Sequence, residues 1–119
     1  WFVSLVPSSA PRNVQGYATS STSIRVSWIS VAAAQRNGII NFYTVRYIAV
    51  AGAYRNGTLR EVEVSGASNQ IDLRELEASV KYNITISAST SVGEGPESSM
   101  ITLRTAEAGE SKLKEYLKR

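Results

Sequence analysis

Apolar and polar residues alternate with a period of two along most of this chain, in short runs separated by turn-forming residues. In the clearest run, Ile24, Val26 and Trp28 point to one side and polar side chains to the other. A register slip of one residue would bury Arg25, so the pattern specifies which face is covered. It predicts a β-strand with one buried and one solvated face.

Six further segments have the same character, and Asn-Gly pairs or Gly-containing loops separate them. They cover residues 13–19, 43–47, 61–64, 71–73, 82–89 and 100–105. Residues 91–98 contain two glycines and a proline, and we predict a loop there. Seven short strands at this spacing predict an all-β antiparallel fold, either a sandwich or a barrel.

The two ends of the chain depart from this alternation. The opening run Trp1–Val6 would be an exposed apolar patch unless it packs against something. Near the other end, apolar residues recur at helical spacing among lysines. We therefore predict three parts: an N-terminal apolar linker over 1–9, a β-domain over 10–105, and a tail with a short amphipathic helix over 106–119.

The composition excludes several kinds of site. The chain has 119 residues and neither cysteine nor histidine, so it cannot form a Ser-His-Asp triad, a cysteine nucleophile or a His- or Cys-bound zinc site. Glu61 and Glu63 share one face of a predicted strand, but such charges usually only meet solvent, and no nucleophile accompanies them. We expect no enzyme activity, no cofactor and no metal site.

The charges are spread along the chain and give a net charge of +3. Nucleic-acid binding needs a basic stripe that follows the phosphates, and none is present, so we expect no nucleic-acid partner. The longest apolar run is far shorter than the ~20 residues that cross a bilayer. The sequence does not begin with Met, and we expect it to be part of a longer protein.

Several short motifs follow one another in a characteristic order. They are Ala10-Pro11 before the first strand, Trp28 at the end of the second, Asn37-Gly38-Ile39-Ile40 and Tyr43-Thr44-Val45-Arg46-Tyr47 at the third, Leu76 six residues before Tyr82, and Ala88 followed by Gly93-Glu94-Gly95-Pro96-Glu97-Ser98. At these spacings the chain resembles the fibronectin type III domain family over residues 10–105. One stretch departs from the family pattern, because Val31-Ala32-Ala33-Ala34 stands where many members carry prolines.

The resemblance implies a seven-stranded antiparallel β-sandwich of the immunoglobulin-like type. It assigns Trp28 as the core tryptophan and Tyr82 as a corner tyrosine whose hydroxyl meets upstream backbone, with Leu76 beneath its loop. Together with the alternation, it predicts a structural core that includes Trp28, Tyr43, Val45, Leu73, Leu76, Tyr82, Ile84 and Ile86.

Two tripeptides match the acceptor for N-glycosylation, Asn56-Gly57-Thr58 in a hairpin loop and Asn83-Ile84-Thr85 in a predicted strand. By alternation Asn83 points outward, so we expect both asparagines to be accessible. Such tripeptides also arise by chance. Two accessible ones favour an extracellular or cell-surface location, as part of a larger membrane protein.

The resemblance implies binding and spacing rather than chemistry. It favours a non-catalytic interaction module of an extracellular adhesion molecule or receptor, such as the ectodomain of a receptor-type tyrosine phosphatase. Two other settings fit the same residues: an intracellular structural module of a muscle or cytoskeletal protein, and a linker module of a carbohydrate-active enzyme.

The expected partners are other protein domains, including neighbouring modules of the same chain. Self-association through Trp1–Val6 or through the C-terminal tail is a further expectation. The loop residues Val92, Gly93 and Glu94 are the candidate partner-binding loop, although the Arg-Gly-Asp integrin signal that some family members carry there is absent.

Overall fold

The computed structural model describes residues 5–51 and 55–107. The elements in chain order are β1 (Arg12–Ser20), β2 (Ser23–Ile29), α1 (Ala33–Arg36), β3 (Phe42–Ala51), β4 (Arg55–Asn56), β5 (Arg60–Ser65), β6 (Gln70–Leu73), β7 (Lys81–Ser89), β8 (Glu94–Glu97) and β9 (Ile101–Arg104).

The strands form two antiparallel sheets. The first sheet has the order β1-β2-β6, and the second is built on the central pair of β3 and β7. In the second sheet β4 and β5 flank β3, whereas β8 and β9 flank β7. This is the all-β sandwich that the alternation and the family resemblance predicted, and the prediction is confirmed.

The core lies between the inner faces of the two sheets. The eight side chains expected in it are each at most 4% exposed. Five more close the same cluster: Ile24, Val26, Val31, Tyr47 and Ala88. The ring of Trp28 meets that of Tyr43 edge-on, with centroids 5.2 Å apart. Such a contact adds to the hydrophobic stabilisation that two large buried aromatic side chains supply.

The corner tyrosine is formed as the resemblance implied. Tyr82 is 3% exposed, and its hydroxyl oxygen accepts a hydrogen bond from the backbone N–H of Glu77 at 2.8 Å. Leu76 is buried next to this contact. The Tyr82 side chain therefore helps to hold the loop that leads into β7 from inside, together with the buried hydroxyl of Thr105, which donates to the carbonyl of Glu77 at 2.6 Å.

Nine strand segments are present in the described residues, where seven strands were predicted. Part of the difference is β4, which adds only two residues to the β3 hairpin. The remainder is β8, which lies within the segment 91–98 that we predicted as a loop. Pro96 does not prevent pairing there because β8 is at the sheet edge, where a missing N–H is tolerated.

The alanine-rich stretch after Trp28 forms one helical turn, α1. Alanine is the strongest helix former, whereas a proline-rich loop would be extended. The turn ends at Asn37, whose φ of 56° lies in the left-handed region that asparagine tolerates.

Candidate interaction surface

Arg46 is the centre of a charged cluster on the outer face of the second sheet. Its neighbours Val45 and Tyr47 point into the core, so the pleat of β3 turns Arg46 outward. The guanidinium contacts Glu61 at 3.0 Å, Glu94 at 2.9 Å and Glu97 at 2.9 Å. Its side chain is only 20% exposed, because the carboxylates and their strands surround it.

These contacts shift the pKa values of two members of the cluster, Glu94 and Arg46. Hydrogen bonds from Arg46, and to a smaller extent from the hydroxyl of Ser87, hold the pKa of Glu94 below its ordinary value, although partial burial opposes them. The hydrogen bond to Glu94 is also the main reason that the pKa of Arg46 rises above its ordinary value. One cation therefore faces three carboxylates, and the cluster carries a net negative charge near neutral pH.

The opposite end of the same face is basic. Lys81 and Arg104 are paired across β7 and β9, and both are exposed. Between the two ends, the hydroxyl of Thr102 donates a hydrogen bond of 2.7 Å to the side-chain oxygen of Asn83. The outer face of the second sheet thus has an acidic end, a polar middle and a basic end.

The outer face of the first sheet carries a single strong ion pair. Arg25 donates two hydrogen bonds to the carboxylate of Asp72, at 2.7 and 3.1 Å, which joins β2 to β6. The hydrogen bond from Arg25 is the main cause that lowers the pKa of Asp72. Beside this pair, Tyr17 is 58% exposed. This arrangement ties two strands together, and Arg74 adds a second cation 3.7 Å from the carboxylate of Asp72.

The segment Leu5–Ser8 is docked on one end of the sandwich. The N–H of Leu5 donates to the carbonyl of Asn37 at 2.8 Å, and the hydroxyl of Thr90 donates to the carbonyl of Leu5 at 2.8 Å. Pro7 is fully buried. Part of the segment predicted as a linker therefore belongs to the folded domain, whereas residues 1–4 lie outside the described residues.

The predicted partner-binding loop is divided between two surfaces. Val92 is 57% exposed at the loop tip, near the docked segment. Gly93 lies against the docked segment, because a Cβ at this position would stand 3.2 Å from a side-chain carbon of Val6. Glu94 begins β8 and turns toward Arg46, so it belongs to the outer face of the second sheet.

The two predicted glycosylation sites also differ in position. Asn83 points outward, as expected, but it is only partly exposed because β7 has neighbours on both sides. Asn56 belongs to β4, and its side chain lies outside the described part of the structure. The predicted helix in the tail likewise falls almost wholly on residues that are not described.

Among the described residues, no group of three metal-ligating side chains is close enough to hold an ion. No helix in the described part is long and apolar enough to cross a membrane. Sequence reasoning missed the Arg46 cluster, although one signal was available: an arginine stood between core residues of a predicted strand.

Comparisons with known proteins agree with this architecture. The family model described as fibronectin type III domain matches residues 9–104. Receptor-type tyrosine-protein phosphatase F of Mus musculus is 42% identical over 101 residues, and the cell adhesion molecule DSCAM of Homo sapiens is 36% identical over 103 residues. The matched regions cover 85% and 86% of this chain but only 5% of each relative.

Among solved structures, the third fibronectin III domain of the human KIAA0343 protein superimposes with a TM-score of 0.80 at 24% identity. The alignment covers 87% of this chain and 86% of that domain. At that identity the likeness concerns the fold alone. Taken with the match over residues 9–104, it leads to one conclusion: this chain belongs to the fibronectin type III domain family.

Proposed function

We propose that this chain is a non-catalytic interaction and spacer module in the ectodomain of a cell-surface receptor or adhesion protein, of the receptor-type tyrosine phosphatase kind. The observation that carries the proposal is the 42% identity to receptor-type tyrosine-protein phosphatase F across 85% of the chain. The identity to DSCAM, whose name describes a cell adhesion molecule, supports the same setting.

The geometry supports the role of a spacer. The chain enters the domain beside Asn37 and Thr90, where Leu5 is held by two hydrogen bonds. It leaves at the other end of β7, where the N–H of Thr105 donates to the carbonyl of Val80 at 3.1 Å. Entry and exit at opposite ends of a rigid sandwich let such modules be joined end to end, so that each one adds a fixed length.

A test of the location uses an antibody raised against the folded domain. We expect the antibody to label intact cells that express the parent protein, because an ectodomain is accessible without permeabilisation. An antibody to a cytoplasmic protein serves as the control and should label only permeabilised cells. If the domain is also labelled only after permeabilisation, it lies inside the cell, and the intracellular structural module is then the better explanation.

We further propose that Asn56 and Asn83 carry N-linked glycans in the secreted form. The supporting observation for Asn83 is its outward position, with Thr85, the threonine of its tripeptide, on the same face of β7. The intact mass of the chain secreted from eukaryotic cells should fall after enzymatic removal of glycans. Asn83→Gln and Asn56→Gln variants assign the loss of mass to each site, and a variant whose mass loss equals that of the wild type excludes its site.

A further inference from the structure

The outward side chains of the second sheet form five rows across the strands. From one end of the face to the other, the rows are Phe42, Ser65, Ser89 and Glu94; Thr44, Glu63, Ser87 and Glu97; Arg46, Glu61 and Thr85; Ile48, Asn83 and Thr102; and Val50, Lys81 and Arg104. We number them 1 to 5 in that order. Every position is set by the observed strand register.

Charge is divided between the ends of this face. Rows 1 to 3 hold four glutamates and one arginine, whereas row 5 holds Lys81 and Arg104. Rows 2 and 5 are six residues apart along β7, a distance of about 20 Å. The face as a whole is close to neutral, since three cations stand against four carboxylates.

We propose that this face binds the same face of a second copy of the chain, in a symmetric pair with the strands of the two copies antiparallel. A two-fold axis that lies between the sheets, perpendicular to the strands and midway between rows 3 and 4, places row 2 of each copy opposite row 5 of the other. Such an interface is self-complementary, as a two-fold interface must be. A face with a single sign of charge would instead repel its own copy.

The lateral positions agree with this pairing. The proposed axis keeps each strand opposite its own counterpart, and the edge formed by β8 and β9 therefore faces the same edge of the second copy. Arg104 on β9 then lies opposite Glu97 on β8 of the second copy. Lys81 on β7 lies opposite the position of Ser87 in the second copy. Ser87 itself is fully buried and bonded to Glu94, so Lys81 meets the carboxylates of Glu94 and Glu97 that surround it. Sheets that pack face to face with nearly aligned strands are common in proteins.

The size of the face determines how strong the self-association is expected to be. The four rows that lie opposite one another, rows 2 to 5, occupy about 27 Å along the strands and about 19 Å across them, or roughly 500 Å² on each copy. A total near 1,000 Å² belongs to weak and transient complexes. Charge complementarity contributes more to specificity and association rate than to affinity. We therefore expect a weak pair that is sensitive to salt.

The first experiment is sedimentation velocity on the unglycosylated chain, over concentrations up to the millimolar range. We expect concentration-dependent dimer formation, and an association constant that falls about tenfold when salt is raised from low to several times physiological ionic strength. A wild-type chain that remains monomeric at every concentration overturns the proposal. The face would then be left to solvent or to a different protein.

The decisive experiment uses charge reversals at the paired positions. Arg104→Glu alone places carboxylate against carboxylate, and Glu97→Arg alone places cation against cation, so each variant should lose about tenfold or more in self-association. A mixture of the two variants restores both opposite-charge contacts, and it should form a heterodimer at least as readily as the wild type dimerises.

Arg74→Glu is the matched control, because it makes the same charge change beside the first sheet at a side chain that is 77% exposed. It should associate as the wild type does, and thermal melts show that each variant is folded. Loss of association in Arg74→Glu, or a mixture that associates no better than its components, overturns the proposal. Cellular location plays no part in these measurements, so they are independent of the proposed ectodomain function.

Discussion

At the level of single residues, the hydroxyl of Tyr82 joins the start of β7 to the loop before it. It accepts the N–H of Glu77 at 2.8 Å while the ring fills the core. Tyr82→Phe keeps the ring and removes the acceptor, and we expect the free energy of unfolding to fall by about 1 kcal/mol or more. Equilibrium denaturation in urea measures this change.

The control for this prediction is Tyr17→Phe, which removes a hydroxyl from a ring that is 58% exposed. A surface change of this kind should stay within about 0.5 kcal/mol of the wild type. Equal losses in the two variants would show that the hydrogen bond to Glu77 has no special role.

Glu94 gives the stability of the domain a defined dependence on pH. Its pKa in the folded chain is lowered from an ordinary 4.5, first by the hydrogen bond from Arg46. A carboxylate with a lowered pKa stabilises the fold above its unfolded pKa, and this stabilisation is lost as pH falls through the folded pKa. The stability difference between wild type and Glu94→Gln should therefore be largest near neutral pH and should shrink under acid conditions.

Denaturation curves over a pH series measure that difference. Glu63→Gln is the control, because Glu63 lies on the same face but has no ion-pair partner among the described residues. If both differences vary with pH in the same way, the contact with Arg46 is not the cause.

At the level of elements, the segment Leu5–Ser8 depends on the absence of a side chain in β8. A Cβ on Gly95 would lie 2.7 Å from the carbonyl oxygen of Pro7 and 2.8 Å from its Cβ, and neither atom can turn away by itself. Gly95→Ala should push the segment off the domain and reduce the free energy of unfolding by about 1–3 kcal/mol. Hydrogen exchange at the N–H of Leu5 should accelerate in the same variant.

Gly93→Ala provides a graded comparison. The Cβ added there would meet only the end of the Val6 side chain, at 3.2 Å, and a side chain can adjust. We expect a change within about 1 kcal/mol and little acceleration of exchange at Leu5. Identical behaviour of the two variants would mean that Pro7 does not anchor the segment.

The elements also show how far the sequence could predict this molecule. Alternation identified the inner faces of the strands, because burial on one side of a pleated strand leaves a direct period of two in the sequence. It could not identify β8, whose glycine and proline indicate a loop unless the edge position is known. The docking of Pro7 could not be predicted either, because it depends on a contact between distant parts of the chain.

The charged cluster could not be predicted from the sequence, for a similar reason. The pairing of β3 with β5 brings Glu61 to Arg46, but Glu94 and Glu97 arrive only through the pairing of β7 with β8. A surface of this kind is a property of the register of four strands. Sequence alone gave its residues no common pattern, whereas each core residue carried its own signal.

At the level of the whole molecule, the proposed glycan on Asn83 and the proposed self-association would use the same face. Asn83 lies in row 4, beside the proposed two-fold axis, and its side chain already contacts Thr102. A glycan on Asn83 would stand between the two copies and prevent the sheets from approaching to the distance of about 10 Å that face-to-face packing requires. Asn56 lies on the short strand β4, which pairs with the end of β3.

The threonines of the two tripeptides separate these effects. Thr85→Val removes the Asn83 acceptor and keeps a β-branched residue in β7, and Thr58→Val removes the acceptor at Asn56. In secreted material we expect the wild type and Thr58→Val to sediment as monomers, and Thr85→Val to associate like the unglycosylated chain. Intact mass establishes which glycans are present in each sample. If wild type with a glycan on Asn83 dimerises as readily as Thr85→Val, the interface cannot include row 4, and the symmetric pairing of these faces is wrong.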